Sequence, residues 1–120
     1  MQDRYLLDTN VIIYSLKSGL ELPEAIYCTT EINKKEILSF YKMTDDEKET
    51  ILAIFSKINI LGINDEIKQN AKDIEDNYSL PRVDAIICAT ALAYDLTLIT
   101  NDQLLHQVKE IKAESFYFVN

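Results

Sequence analysis

The chain has 120 residues, 48% of them hydrophobic, which suits one domain with a core of ordinary size. No repeat, linker or low-complexity segment divides it, so we predict a single domain over residues 1–120. Two glycines and two prolines are too few for the many tight turns of an all-β protein. The net charge of −8 disfavours a broad electrostatic grip on nucleic acid, and it is typical of either a solvated acidic surface or clustered acids that bind divalent cations.

Cysteine usage and the N-terminal pattern indicate the compartment. Cys28 and Cys88 lie in apolar surroundings without CxxC spacing, so we predict two buried, reduced thiols. The first residues show no signal-peptide pattern, and no apolar stretch is long enough to span a membrane. We therefore expect a cytoplasmic protein without a membrane partner.

The first half of the chain mixes predicted strands and helices. In order, we predict a strand at 4–8, a helix at about 10–17, a strand at 26–32, and helices at 33–42 and about 44–56. Gly19 can end the first helix, and Asn33 can cap the second. Thr44 and Glu47 match a capping box, with a hydroxyl at the cap and a carboxylate three residues later.

The second half continues the alternation. We predict a strand at 58–63, helices at 64–78 and 80–94, a strand at 96–100, a short helix after it, and a last strand at 116–119. The helix at 80–94 is apolar nearly all round, so it should be buried. Such alternation predicts a parallel sheet with helices on both faces, in which ligands bind beyond the carboxyl ends of the strands.

Two predicted strands end on the same residue types: an aspartate, a threonine and an asparagine. These are Asp8-Thr9-Asn10 and Thr100-Asn101-Asp102. An isolated aspartate after a strand is more often a turn former or a helix cap. Two such ends in one parallel sheet are more informative, because they would meet at the same edge.

Two further acids complete a candidate constellation. Asp84 stands in the apolar helix, where a buried carboxylate needs a cation or hydrogen-bond donors; the structural alternative is a first-turn aspartate favoured by the helix dipole. Glu36, taken alone, reads as a solvated glutamate. If the four acids converge, they suit Mg²⁺ or Mn²⁺, which prefer oxygen ligands and can activate water against a phosphodiester.

Four segments in order resemble a PIN-domain ribonuclease of the VapC type, the toxin of prokaryotic toxin–antitoxin pairs: YLLDTNVII, EINKKEILSF, LPRVDAIICATAL and LTLITND. The resemblance implies an α/β PIN domain with parallel strand order 3-2-1-4-5 and its acids at the carboxyl edge. It also implies an acidic quartet, both catalytic and metal-binding, with supporting catalytic polar residues. These are Asp8, Glu36, Asp84 and Asp102, supported by Thr100, Asn10 and Asn101. Glu31 replaces Glu36 if the register of the second segment slips.

The implied activity is that of a Mg²⁺- or Mn²⁺-dependent endoribonuclease acting on structured RNA such as transfer RNA. The implied partners are a cognate antitoxin and a second copy of the chain. The alternative is a catalytically inactive PIN-fold module that binds RNA or a protein. A haloacid-dehalogenase-type phosphatase is disfavoured, because Asn10 stands where that chemistry needs a second aspartate. A Ser-His-Asp site would rest on His106 alone, and we predict a solvent-facing residue there.

Overall fold

The structure, a computed structural model, describes residues 3–18, 23–40 and 42–116, and the statements below refer to these residues. Its elements alternate in the order expected for an α/β domain. They are β1 (Arg4–Leu7), α1 (Thr9–Ser18), β2 (Ile26–Thr30), α2 (Glu31–Phe40), α3 (Asp45–Lys57), β3 (Asn59–Leu61), α4 (Asp65–Tyr78), α5 (Arg82–Ala93), β4 (Thr97–Ile99), α6 (Gln103–His106) and β5 (Ala113–Glu114).

The five strands form one sheet in the order β3-β2-β1-β4-β5. Every neighbouring pair is parallel, with β1 at the centre between β2 and β4. The predicted order 3-2-1-4-5 is therefore confirmed. Because all strands run the same way, the residues that follow β1, β2 and β4 reach the same edge of the sheet, which we call the carboxyl edge.

Each face of the sheet has its own apolar core, because side chains alternate along a strand. Leu6 and Leu98 belong to one core, with buried residues of α4, α5 and α6. Leu7 and Ile99 belong to the other, with buried residues of α1, α2 and α3. The central strands are thus covered on both faces, which is typical of parallel sheets.

The buried helix predicted at 80–94 is confirmed as α5. Every residue from Ala85 to Ala91 is buried. The small side chains Ala85 and Ala89 are fully buried and allow close packing. Both thiols are also buried and free, as predicted, and burial raises the pKa of Cys88 to about 12. None of the described helices is long and apolar enough to cross a membrane.

The boundary between β2 and α2 differs from the prediction. We expected the strand to run to residue 32 and Asn33 to cap the helix, but β2 ends at Thr30 and α2 begins at Glu31. The hydroxyl of Thr30 accepts a hydrogen bond from the Asn33 backbone N–H (3.0 Å), so Thr30 acts as the cap. Asn33 instead lies inside the helix and is fully buried.

The last strand is also placed differently. We predicted it at 116–119, whereas β5 is the short segment Ala113–Glu114, paired with β4. Phe116 follows it outside any strand, and residues 117–119 lie outside the described residues. Gly19, the predicted end of the first helix, also lies outside them.

Candidate active site at the carboxyl edge of the sheet

Asp8 follows β1 directly, and its carboxylate is held from two sides. Oδ1 accepts a hydrogen bond from the Thr9 backbone N–H (2.8 Å), and Oδ2 accepts one from the Thr100 hydroxyl (2.7 Å). The Asp8 N–H continues the sheet ladder to the Ile99 carbonyl (3.1 Å). These two hydrogen bonds fix the direction of the carboxylate, and Asp8 is only half-buried at the carboxyl edge.

The end of β4 places Thr100 between two of the acids. Thr100 is fully buried, and its hydroxyl donates to Asp8 while accepting from the Asp102 backbone N–H (3.1 Å). Asp102 uses Oδ1 to cap α6 through the Leu104 N–H (3.0 Å). The interpretation of Asp102 as a helix cap is therefore correct for one carboxylate oxygen, and it does not exclude a role for the other.

Asp84 reaches this edge from the first turn of α5. Its pKa is raised, first by burial and then by the negative charges of Asp102, Asp8 and Glu36. These charges come from the ends of β4 and β1 and from α2. Because charge effects fall with distance, the other three acids lie near enough for their charges to act on Asp84.

The two candidate glutamates of α2 point to different neighbours. Glu36 is half-buried, and its charge contributes to the raised pKa of Asp84. Glu31 is exposed, and its Oε1 accepts a hydrogen bond from the Ile63 backbone N–H (3.4 Å), beyond β3. The charges that raise the Asp84 pKa do not include that of Glu31. Of the two glutamates, Glu36 is the one whose charge acts on Asp84.

The predicted asparagines occupy different environments. Asn10 is exposed in the first turn of α1. Asn101 is exposed as well, but its Oδ1 accepts a hydrogen bond from the Phe116 backbone N–H (2.8 Å). Asn101 therefore ties the turn after β4 to the segment after β5.

The expectation of a solvent-facing His106 was wrong. His106 is half-buried, and its Nε2 lies 2.8 Å from the Thr100 carbonyl oxygen. Since a carbonyl can only accept, Nε2 carries the proton in this contact. The Ser115 hydroxyl lies 3.4 Å from the same nitrogen. His106 thus supports the backbone turn that carries Thr100 and Asp102. The spacing of these residues in the sequence did not indicate the contact.

Two of the three cations near the site in sequence, Arg82 and Lys34, have other partners. Arg82 forms an exposed ion pair with Glu75 (3.6 Å). The Lys34 ammonium lies 5.6 Å from the centre of the Phe55 ring, in a cation–π contact. Lys35 is exposed. Phosphate contacts from Arg82 or Lys34 would compete with these interactions.

The donor set fits a hard divalent cation by type and by charge. All four side chains are carboxylates, and a cation would relieve the repulsion that raises the pKa of Asp84. In the arrangement of the described residues, no three acids, histidines or cysteines are close enough to enclose an ion. Holding one would need the carboxylates to close in.

A five-stranded parallel α/β sheet with acids at its carboxyl edge defines the class of this protein. The sequence model of the PIN domain matches residues 5–111, a span that includes all four acids. The chain therefore belongs to the PIN-domain family.

Solved structures with this fold include toxin–antitoxin assemblies. A toxin–antitoxin complex from Klebsiella pneumoniae is 30% identical, with 89% of this chain and 94% of that chain covered and a TM-score of 0.72. VapBC2 from Rickettsia felis bound to promoter DNA is 16% identical (93% and 98% covered, TM-score 0.79), and DNA-bound VapBC from Salmonella typhimurium is 17% identical (94% and 98%, TM-score 0.78). Comparison with curated proteins gives no match. The predicted similarity to VapC-type PIN toxins is confirmed.

Proposed function

We propose that this protein is a divalent-metal-dependent endoribonuclease and the toxin of a toxin–antitoxin pair, hydrolysing phosphodiester bonds in structured RNA such as transfer RNA. The observation that carries the proposal is the junction at the carboxyl edge, where the Thr100 hydroxyl joins the Asp8 carboxylate to the Asp102 backbone and where the charges of Asp102, Asp8 and Glu36 act on Asp84. A fold that needed these acids only for solubility would spread them apart, because clustered like charges destabilise it. Membership of the PIN-domain family supports the same conclusion.

The four acids would hold Mg²⁺ or Mn²⁺ with their carboxylate oxygens. A bound ion of this kind supplies positive charge to the phosphate and lowers the pKa of a coordinated water. Two further side chains, Thr100 and His106, orient the acids. Thr100 holds Oδ2 of Asp8 and the backbone of Asp102, so two acids move as one unit. His106 steadies that unit through the Thr100 carbonyl.

The negative net charge of the chain fits a site that needs a cation to accept RNA. An acidic edge without a cation would repel an RNA phosphate, and a cation held by the four acids would reduce that repulsion. RNA affinity should then depend on the metal concentration. Lys35 and, after release from their present contacts, Lys34 and Arg82 can add phosphate contacts.

The proposed partner is an antitoxin that covers the carboxyl edge. Two exposed apolar side chains adjoin the acids in sequence: Val83, beside Asp84, is 40% exposed, and Leu104, two residues after Asp102, is 51% exposed. Apolar side chains beside a polar site are typical of protein interfaces. The likeness to structures of toxin–antitoxin complexes supports such a partner. We also propose a homodimer, which sedimentation of the purified chain tests directly.

Cleavage of RNA by the purified, antitoxin-free protein tests the enzyme. A transfer RNA pool is incubated with Mn²⁺, with Mg²⁺, or with chelator. We expect cleavage with either metal, none with chelator, and a loss of at least about 100-fold in Asp8→Asn and Asp102→Asn. Asp73→Asn, an exposed change on α4 that also removes one negative charge, is the matched control and should cleave normally.

Three results would contradict the proposal. Cleavage that continues in chelator would show that no metal is required. Normal cleavage by folded Asp8→Asn would show that the active site lies elsewhere. RNA binding without cleavage, at any metal concentration, would leave the inactive PIN-fold module as the better description.

A further inference from the structure

A fully buried asparagine connects three elements next to the acids. The Asn33 side chain on α2 donates from Nδ2 to the Thr9 hydroxyl (2.7 Å), and its Oδ1 accepts from the Thr30 hydroxyl (2.5 Å). Asn33 and Thr30 have no exposed surface, and Thr9 is 5% exposed. The link therefore joins the start of α1, the end of β2 and the first turns of α2 through buried hydrogen bonds. We call these residues the Thr9–Asn33–Thr30 bridge.

The bridge touches the site from both ends. Thr9 donates its backbone N–H to Oδ1 of Asp8 (2.8 Å), so a shift of Thr9 moves the Asp8 carboxylate. Glu36 stands three residues after Asn33 and hence on the same face of α2. Asn33 is thus the side chain that connects the helix carrying Glu36 to the strand end carrying Asp8.

A polar bridge in this position has a cost that apolar packing would avoid. A buried amide and two hydroxyls are tolerated only when their hydrogen bonds are satisfied. Among the described residues, every buried side-chain nitrogen and oxygen has a partner. The directional bonds fix the rotation and the height of α2, which apolar contacts specify less sharply.

We propose that Asn33 is a positioning residue that sets the distance between Glu36 and Asp8 by holding α2 against Thr9. The inference rests on the proposed function, because the two acids matter as a pair only if they share a cation or a substrate. In this proposal the Asn33 side chain contacts neither the cation nor the substrate. Its effect is transmitted through Thr9 and through one turn of α2.

Two substitutions break the bridge from opposite sides. Thr9→Val keeps the shape of the side chain and the backbone bond to Asp8, and it removes only the hydroxyl that Asn33 contacts. Asn33→Leu keeps most of the volume and removes both side-chain bonds. Thr90→Val is the matched control: Thr90 is also fully buried, but its hydroxyl bonds to the Ile86 carbonyl within α5 (2.7 Å) and joins no other element.

The readouts are kcat and KM for RNA, Mn²⁺ affinity by calorimetry, and the thermal midpoint. We expect kcat and Mn²⁺ affinity to fall by about tenfold in Thr9→Val and Asn33→Leu, with KM for RNA little changed. Thr90→Val should keep both within about twofold, even where its thermal midpoint falls equally. The double variant should lose no more kcat or Mn²⁺ affinity than the more impaired of the two single variants, because both changes remove the same hydrogen bond.

Each outcome decides the proposal. Wild-type kcat and Mn²⁺ affinity in folded Thr9→Val would overturn it, as would equal losses in Thr90→Val. If the wild type binds Mn²⁺ but cleaves no RNA, the proposed function fails alone, and the ratio of Mn²⁺ affinities still decides the role of Asn33. If the wild type neither binds Mn²⁺ nor cleaves RNA, both proposals fall.

Discussion

Helices α2 and α5 each deliver one acid to the carboxyl edge, and they are held in different ways. Helix α5 is buried from Ala85 to Ala91, and its first turn has no side-chain cap. Helix α2 is capped by Thr30 and is tied to α1 by the buried amide of Asn33. Apolar packing tolerates small displacements, whereas hydrogen bonds fix direction. The position of Glu36 should therefore be fixed more sharply than that of Asp84. The charge of Asp84 is less favourable in the fold, since its pKa is raised.

The largest expected effect separates the two glutamates of α2. Glu36→Gln keeps the size of the side chain and removes its charge, so RNA cleavage should fall by about 100-fold because a carboxylate is lost from the site. Glu31→Gln is the matched control on the same helix and should change cleavage by less than about twofold. Rates are measured at saturating Mn²⁺. A larger loss of cleavage in Glu31→Gln than in Glu36→Gln would show that Glu31, and not Glu36, is the functional glutamate of α2.

Overpacking tests whether α5 depends on apolar packing. Ala89 is fully buried, and Ala89→Leu inserts a larger side chain into a close-packed core. We expect the free energy of unfolding to fall by about 1–3 kcal/mol in urea titrations. Leu92→Ala, at a position 43% exposed on the same helix, should cost less than about 1 kcal/mol. Equal costs at the two positions would mean that α5 is not packed as described.

Charge removal at Asp84 should stabilise the metal-free protein. Because its pKa is raised in the fold, the folded state holds the Asp84 proton more tightly than the unfolded chain does. The free energy of unfolding therefore falls as pH rises from the ordinary aspartate pKa through the raised one. In chelator at neutral pH, Asp84→Asn should melt above the wild type, and the difference should fade in acid.

The control for this prediction is Asp73→Asn, which removes an exposed charge on α4. It should shift the melting temperature little at any pH. A metal-free Asp84→Asn protein that melts below the wild type at neutral pH would show that the Asp84 charge is well accommodated in the fold.

The smallest expected effect concerns the two thiols, one on α5 and one on β2. Burial raises the pKa of both, to about 12 for Cys88. Only the thiolate reacts with alkylating reagents, so both should be inert in the folded protein at pH 8, with Cys88 the slower. Mass spectrometry after timed alkylation measures this. Faster modification of Cys88 than of Cys28 would contradict the tight packing of α5.

The contrast between α2 and α5 also shows how far the sequence could predict the structure. The buried helix was evident because a nearly unbroken apolar pattern of that length is typical of a helix inside a core. The order of the sheet came from the resemblance to PIN domains, and the structure confirms it. The start of α2 was misplaced, because threonine and asparagine are both good caps and only the fold decides which one is buried inside the helix.

Other parts of the site gave no signal in the sequence. The contact of His106 with the Thr100 carbonyl spans a turn whose shape depends on β5. The last strand was predicted too late because FYFV is the more apolar run, whereas β5 is the short segment Ala113–Glu114. Neither feature follows from local patterning, since both depend on tertiary pairing.

The claim that acids from four elements form one site is tested most directly by the pKa of Asp84 in metal-free protein. Carboxyl NMR titrations of the wild type and Asp102→Asn measure it. We expect the pKa to fall in Asp102→Asn, because Asp102 has the largest effect of the three charges that raise it, and to stay above the ordinary value because Asp84 remains partly buried. Asp73→Asn should leave the pKa unchanged. An Asp84 pKa that is identical in Asp102→Asn and the wild type would contradict the account, since the two carboxylates would then not share a site.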